Sequence, residues 1–476
     1  MSLNHGINTF ERDTQFVGVT KGKVGVPLFV GALPIHKVGA AFNGGPILLN
    51  NIEEAKALGW SDAWRDDSGN PKWNLCQAAY AHLLLFAMAP CFVVNVYDPA
   101  TNKTAVAAAD KSVSDHAVEL TEDAIDDSGL VVKNGETTLT KGTDYAVIYT
   151  DTACRIELLS TGTAYSATTL NVAFNKADFT GITASVIEAA FEKAELCKTM
   201  WGIVPDLFCA PGWSKNPAVA AVMTAKARSI NGLYRAKAVV DIDTAAAAAD
   251  TYDDVYAYKN ANGYDDADMI VCWPLAKVGD KLFDLSVLVC GAMSRIDADN
   301  GDLPYESPSN KAVPVTGLVN AAGTDIYLTV QQADALSVAD GVVTALNFGG
   351  FVLWGNYTGC APAITDTAKC FIPTGRMQDY LCNAFVNAFW GYVDRPLSRV
   401  VIDAIVNSFN SFLDGLIAEG ALLGGSIEYV DDNNPAADLL AGRFRLDLQM
   451  ASPVPAQRID MYSEFSVSMF TDALNG

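Results

Sequence analysis

Towards the C-terminal end of the chain, apolar positions recur first at a spacing of three to four and then at a spacing of two. Met377, Leu381, Ala384, Phe385 and Ala388 share one stripe, which predicts a helix over 376–390. Arg395-Pro396 opens a second, because Pro suits a first helical position. Its stripe is Leu397, Val401, Ile405, Phe409, Phe412 and Leu416, and Gly420 closes it. The period then drops to two. A short strand is expected over 426–430. Phe444, Leu446, Leu448 and Met450 alternate with Arg443, Arg445, Asp447 and Gln449. Ile459, Met461, Phe465, Val467 and Met469 alternate with polar neighbours in a last predicted strand over 458–469. A strand at a chain end can pair with another molecule's sheet as readily as with its own.

Upstream, the same reading predicts strands over 26–31 and 91–97 and helices over 51–59 and 73–88. Between about 115 and 180 the chain becomes rich in Thr, Asp and Gly, with short alternating runs separated by turn signals such as Asn134-Gly135 and Thr161-Gly162. A small all-β domain over 116–179 is expected there. Helix–strand alternation resumes beyond it, with helices at 184–200, 217–230, 244–258, 284–296 and 331–336. The strands between and after them fall at 203–209, 237–241, 268–273, 342–346 and 351–354. The expected fold class is α/β plus an all-β insertion: a multi-domain protein with an α+β C-terminal domain and extended terminal arms. The expected division is an N-terminal arm (1–20), a discontinuous α/β middle domain (21–115 and 180–345), the insert (116–179), a C-terminal α+β domain (346–455) and a terminal strand or arm (456–476).

Composition narrows the function classes. The 476 residues, half of them hydrophobic, suffice for several cores. A net charge of -23, from 55 acidic and 32 basic residues without a basic run, argues against nucleic acid as a main partner. The ten Cys form no C-x-x-C pair and lie mostly in apolar runs, as buried thiols of a reducing compartment do. Met1 to Asn8 is polar and no secretory leader is expected. The apolar run 78–94 is broken by His82 and Pro90 and reads as a buried helix and strand.

A search for chemistry finds no anchor. The four His (His5, His36, His82 and His116) stand in unrelated contexts, and His82 is expected to be a satisfied core residue. Phosphate-loop, dinucleotide and nucleophile-elbow motifs are absent from the sequence. Asp241 and Asp243 end a strand, where helix capping is the plainer role. Asp297, Asp299 and Asp302 carry part of a cation-loop spacing without the remainder. No catalytic residue, cofactor or metal ligand is expected, and the chain is not expected to be an enzyme.

Several stretches, in order, resemble the contractile tail sheath family of bacteriophages and tailocins. They are Val26-Pro27-Leu28-Phe29-Val30-Gly31; Gly45-Pro46 with Ile52-Glu53-Glu54-Ala55 to Leu58-Gly59; and Ser286, Gly291, Arg295, Asp297 and Gly301 followed by Ser307-Pro308-Ser309-Asn310. Then come Asp334-Ala335-Leu336 to Gly341-Val342-Val343-Thr344, leading to Leu353-Trp354-Gly355-Asn356-Tyr357-Thr358, and the stretch through Gly420 to Gly425 with the two alternating strands. Tyr357 departs from the family, which commonly has Arg there.

The resemblance implies a virion structural subunit, assembled in the host bacterial cytoplasm into a homo-oligomeric helical stack of rings around a tail tube protein. Baseplate and tail terminator are implied as further partners, and contraction of the sheath drives the tube through a bacterial envelope. The sheath itself is not inserted in a membrane. It also implies inter-subunit strands and arms, here Phe10, Phe16, Phe444, Leu446, Leu448, Ile459, Met461, Phe465 and Val467. Arg395 and Arg399 are candidates for facing an acidic tube, although solvated helix ends are the plainer reading. The alternative function is another self-assembling virion or surface-layer protein.

Overall fold

The computed structural model describes residues 19, 21–66 and 68–475. Phe10 and Phe16 lie outside them. Three buried apolar clusters organise the chain.

The largest surrounds an eight-stranded sheet. Its order is Pro46–Leu49, Cys91–Asn95, Pro27–Gly31, Leu207–Cys209, Lys237–Asp241, Met269–Cys272, Val342–Asn347 and Phe351–Trp354. Pairing is parallel within the sheet, with an antiparallel strand at each edge. Parallel strands need crossovers that cover both faces, so they read as continuous apolar runs. The strands Pro27–Gly31, Cys91–Asn95 and Lys237–Asp241 are buried at every position. The helix Leu285–Asp299 packs on this sheet and is buried almost throughout.

Two expectations fail here for identifiable reasons. The Ala run at 245–249 is not helical; the helix nearby is Val255–Ala261. Trp273 Nε1 donates to Ala249 O at 2.8 Å, and Ala249 is fully buried. These tertiary contacts hold the run in a non-helical path against its high helix propensity. Likewise the helix expected over 184–200 is two helices, Ala184–Glu192 and Glu195–Trp201.

The insert has two antiparallel sheets around Val118, Leu120, Ile156, Leu170, Val172 and Phe174. Its pairing begins ahead of the expected boundary at 116. Lys103–Ser112 pairs along Thr169–Ala177, with a bulge between Val172 and Phe174. Asp178 N donates to Asn102 O at 3.1 Å, so the insert enters and leaves at adjacent points. An aromatic group around His36 (Trp73, Tyr97 and Tyr149) joins it to the sheet domain, with Lys37 Nζ reaching Asp151 O at 3.1 Å.

The C-terminal cluster is built by the helices Ile372–Phe389 and Arg399–Ala418. Met377, Leu381, Ile405, Phe409, Leu413 and Leu416 form its centre, largely along the expected stripes. Gly420 follows with φ +82°, the left-handed position a side chain would disfavour. Arg399–Ala418 is long and apolar enough to span a bilayer, but its apolar stripe is committed to this cluster. The strands Gly424–Glu428 and Asp447–Ala451 form a two-stranded antiparallel sheet.

The long terminal strand expected over 458–469 is corrected by the structure. The chain has no regular structure from 452 to 466 and then forms the helix Val467–Asn475. A period of two becomes a strand only when its backbone has a partner edge, and among the described residues this segment has none.

Candidate assembly surfaces

The carboxylates singled out for chemistry at Asp241, Asp243 and Asp297 are engaged in structure. Asp241 is buried and accepts from Ser286 N at 2.9 Å and Ser286 Oγ at 2.5 Å, fastening a sheet strand to the helix behind it. Burial, with the nearby Asp284 charge, raises its pKa. Asp243 accepts from Ala245 N in a local turn, so the two carboxylates do separate work. His82 is in the core as expected, but it is not satisfied. Neither ring nitrogen has a hydrogen-bond partner in good geometry, and burial lowers its pKa to about 4. The Cys are free and buried, apart from the half-buried Cys382. Burial pushes the Cys76 thiol up to about 12, so it stays protonated and inert. Among the described residues no group of His, Cys, Asp and Glu is placed to hold a metal ion.

The helix Ile372–Phe389 has two working faces. One faces the C-terminal cluster. The other carries Arg376, Asp379, Asn383 and Asn387, again at a spacing of three to four, and meets the sheet domain. Arg376 is buried and grips Asp297 through both guanidinium ends, at 3.0 and 2.5 Å, and Asp206 at 2.9 Å. Burial raises the Asp297 pKa to about 6, while Arg376 pulls it the other way. Asp297 is therefore an ion-pair partner and not part of a cation loop. Further along, Lys237 Nζ lies 3.0 Å from Asp379. Asn383 exchanges two bonds of 2.9 Å with the backbone of Arg235, and Tyr234 OH donates to Asn387 at 3.0 Å. The sequence reading used only the apolar stripe of this helix; the polar stripe was present at the same spacing.

The two ends of the described chain leave from different places. At the N-terminal end, Val19 and Val24 pack on the C-terminal cluster, and Lys21 pairs with Glu419 at 2.6 Å. Asp206 then receives Gly25 N and Val26 N at 3.1 and 2.7 Å as the chain enters the first strand. At the other end, residues 453–457 follow the hairpin strand across to Asn356 and Tyr357. Beyond them Ile459 and Met461 are each 87% exposed, Phe465 73% and Val467 66%. By contrast Phe444, Leu446 and Leu448 are partly buried against their own C-terminal cluster.

Among the described residues, neither outer edge of the Gly424–Glu428 and Asp447–Ala451 pair meets a further strand. Close by in the chain, the turn between the two helices exposes Trp390 and Val393, and Val400 is exposed in the first turn of the second helix. There Arg395 Nε donates to Gly391 O at 2.9 Å and Arg399 pairs with Asp403 at 2.9 Å.

Known proteins share part of this sequence and fold. The tail sheath protein of Burkholderia phage BcepMu is 27% identical over 97% of this chain and 96% of its own length. The chain is similar to tail sheath proteins. The tail sheath protein of Escherichia phage P2 is 26% identical over 43% of the chain and 51% of its own. Among solved structures, the PVC sheath complex of an extracellular contractile injection system in its contracted state superposes with a TM-score of 0.58. It covers 98% of this chain and 100% of that one at 12% identity. The helical sheath of the anti-feeding prophage, also contracted, gives 0.58 with the same coverage at 14% identity. At such identities the shared property is the mixed α/β, multi-sheet fold. No protein-family model matches the chain. The resemblance drawn from the sequence motifs to the contractile tail sheath family is borne out.

Proposed function

We propose that this chain is the structural subunit of a contractile tail sheath, polymerising as a helical stack of rings around a tail tube and contracting to drive the tube through a bacterial envelope. The carrying observation is the two-stranded hairpin, whose edges are open among the described residues, together with a C-terminal segment whose apolar residues are exposed. A lone two-stranded sheet is marginal in water, and added strands complete it through main-chain hydrogen bonds. The C-terminal arm of a neighbouring subunit, with Ile459, Met461, Phe465 and Val467 at alternate or near-alternate positions, supplies one such strand. The N-terminal arm with Phe10 and Phe16 supplies another. Phe444, Leu446 and Leu448 serve from beneath, holding the acceptor hairpin to its helices. The exposed turn with Trp390, Arg395 and Arg399 is the proposed tube-facing tip. Baseplate and terminator cap the stack, and the particle is a virion tail assembled in the bacterial cytoplasm. Electron microscopy of the purified full-length protein tests this reading. Hollow helical tubes are expected, and a monodisperse small oligomer or a flat lattice at all concentrations overturns it.

A further inference from the structure

The C-terminal arm leaves the body along a short stem, partly buried at Pro453 and Pro455, whose last side-chain hydrogen bonds to the body are made by the exposed Gln457. Ser452 is buried, and Pro453 and Pro455 then fix two φ angles and offer no N–H for strand pairing. This stiff stem crosses a groove lined by Ser309, Lys311 and Trp354 and ends at Gln457. Both ends of the Gln457 amide are used. Its Nε2 donates to Asn356 Oδ1 at 3.0 Å, and its Oε1 accepts from Tyr357 OH at 2.8 Å. From Arg458 to Asn475 every residue except Ser466 is exposed.

The receiving side is rigid. The Tyr357 ring stacks on Phe371 with centroids 4.8 Å apart. Asn356 O accepts from Ile372 N at 2.9 Å, at the start of the two-faced helix. Gly355, at φ +135°, lies so close to the main sheet that a Cβ there would sit 2.9 Å from Val343 Cα. The Asn356-Tyr357 pair is thereby held against both the sheet domain and the C-terminal helices.

We infer that Asn356 and Tyr357 form a latch on Gln457 that fixes where, and in which direction, the C-terminal arm leaves the body. They are positioning residues: the stem up to Gln457 moves with the subunit and the arm beyond it pivots there. A fixed take-off point lowers the entropy cost of presenting the arm to a neighbouring subunit. That consequence rests on the sheath reading; the latch itself does not.

The test uses full-length protein carrying a dye on Ile459→Cys, with Tyr357→Phe and Gln457→Ala as latch variants. Tyr357→Phe keeps the stack on Phe371 and removes only the hydroxyl. Anisotropy is read below the assembly concentration, the body's melting midpoint by circular dichroism, and tube formation by light scattering and microscopy. Both variants are expected to lower the dye anisotropy clearly, leave the midpoint within a degree or so, and raise the concentration needed for tubes several-fold. Arg458→Ala, one residue beyond the latch, is expected to change none of the three. Unchanged anisotropy in both latch variants overturns the latch, whether or not tubes form. Unlabelled protein that never forms tubes overturns the sheath reading instead, while the anisotropy still decides the latch.

Discussion

The eight-stranded sheet and the C-terminal hairpin are two answers to one problem. The sheet closes itself: helices cover its faces, and five of its strands have every position buried. The hairpin leaves its outer edges open among the described residues, and only Ile427 of its side chains is buried. The former is stable through what it contains. On the proposed reading the latter is completed by a neighbour's strand, so the stability of the folded chain and its capacity to assemble are expected to reside in different residues and to be separable by mutation.

The sharpest separation is a truncation. Removing 456–476, or 1–18, is expected to leave a folded protein that forms no tubes at any accessible concentration, as seen by microscopy and circular dichroism. Full-length tubes from either truncation would collapse the distinction between closed and open sheet. Next come single residues in the closed region. Phe29→Ala is expected to cost about 3–5 kcal/mol in urea unfolding, because Phe29 is fully buried in the central sheet. Arg376→Ala is expected to cost a similar ~3–5 kcal/mol, since Asp297 and Asp206 lose their buried partner.

Acid should act on the closed region as well. The His82 pKa in the fold is about 4, below the 6.5 of the unfolded chain, so unfolding takes up a proton between those values. Stability from this group is therefore complete above pH 6.5 and is lost as the pH falls towards 4, by about 2 kcal/mol at pH 5. His82→Leu is expected to remove that part of the acid slope in chemical unfolding measured from pH 7 to 5. The smallest expected effect is Phe465→Ala: at 73% exposure, monomer stability should stay within about 0.5 kcal/mol, while tube formation weakens. A large loss of monomer stability there would place Phe465 inside the body after all.

The difference between the two regions also governs what the residues reveal before folding is known. Strands at Lys237–Asp241 and Met269–Cys272 are legible because a strand covered on both faces is an unbroken apolar run. Lys103–Ser112 is not, since its Ala-rich sequence lies exposed and leaves no alternation to detect. The Ala run at 245–249 misleads because propensity is local and the bond from Trp273 is not. The 458–469 alternation is informative about pairing and silent about the partner, so the isolated chain shows no strand there. Of the assembly surfaces, the exposed apolar arm was readable. Gln457, Asn356 and Tyr357 were not, because three polar side chains a hundred residues apart carry no periodic signal.

The two-faced helix Ile372–Phe389 has a mechanical meaning. Oily surfaces in contact can shear past one another with little change in energy, since their attraction has no direction. Hydrogen bonds and ion pairs have direction, and a row of them resists both sliding and twist until it breaks. With Arg376, Asp379, Asn383 and Asn387 engaged turn after turn along one face, the boundary between sheet domain and C-terminal helices is keyed rather than greased. A force applied at the exposed Trp390 turn reaches the central strands through that key, and what yields first is the compliant linkage outside it.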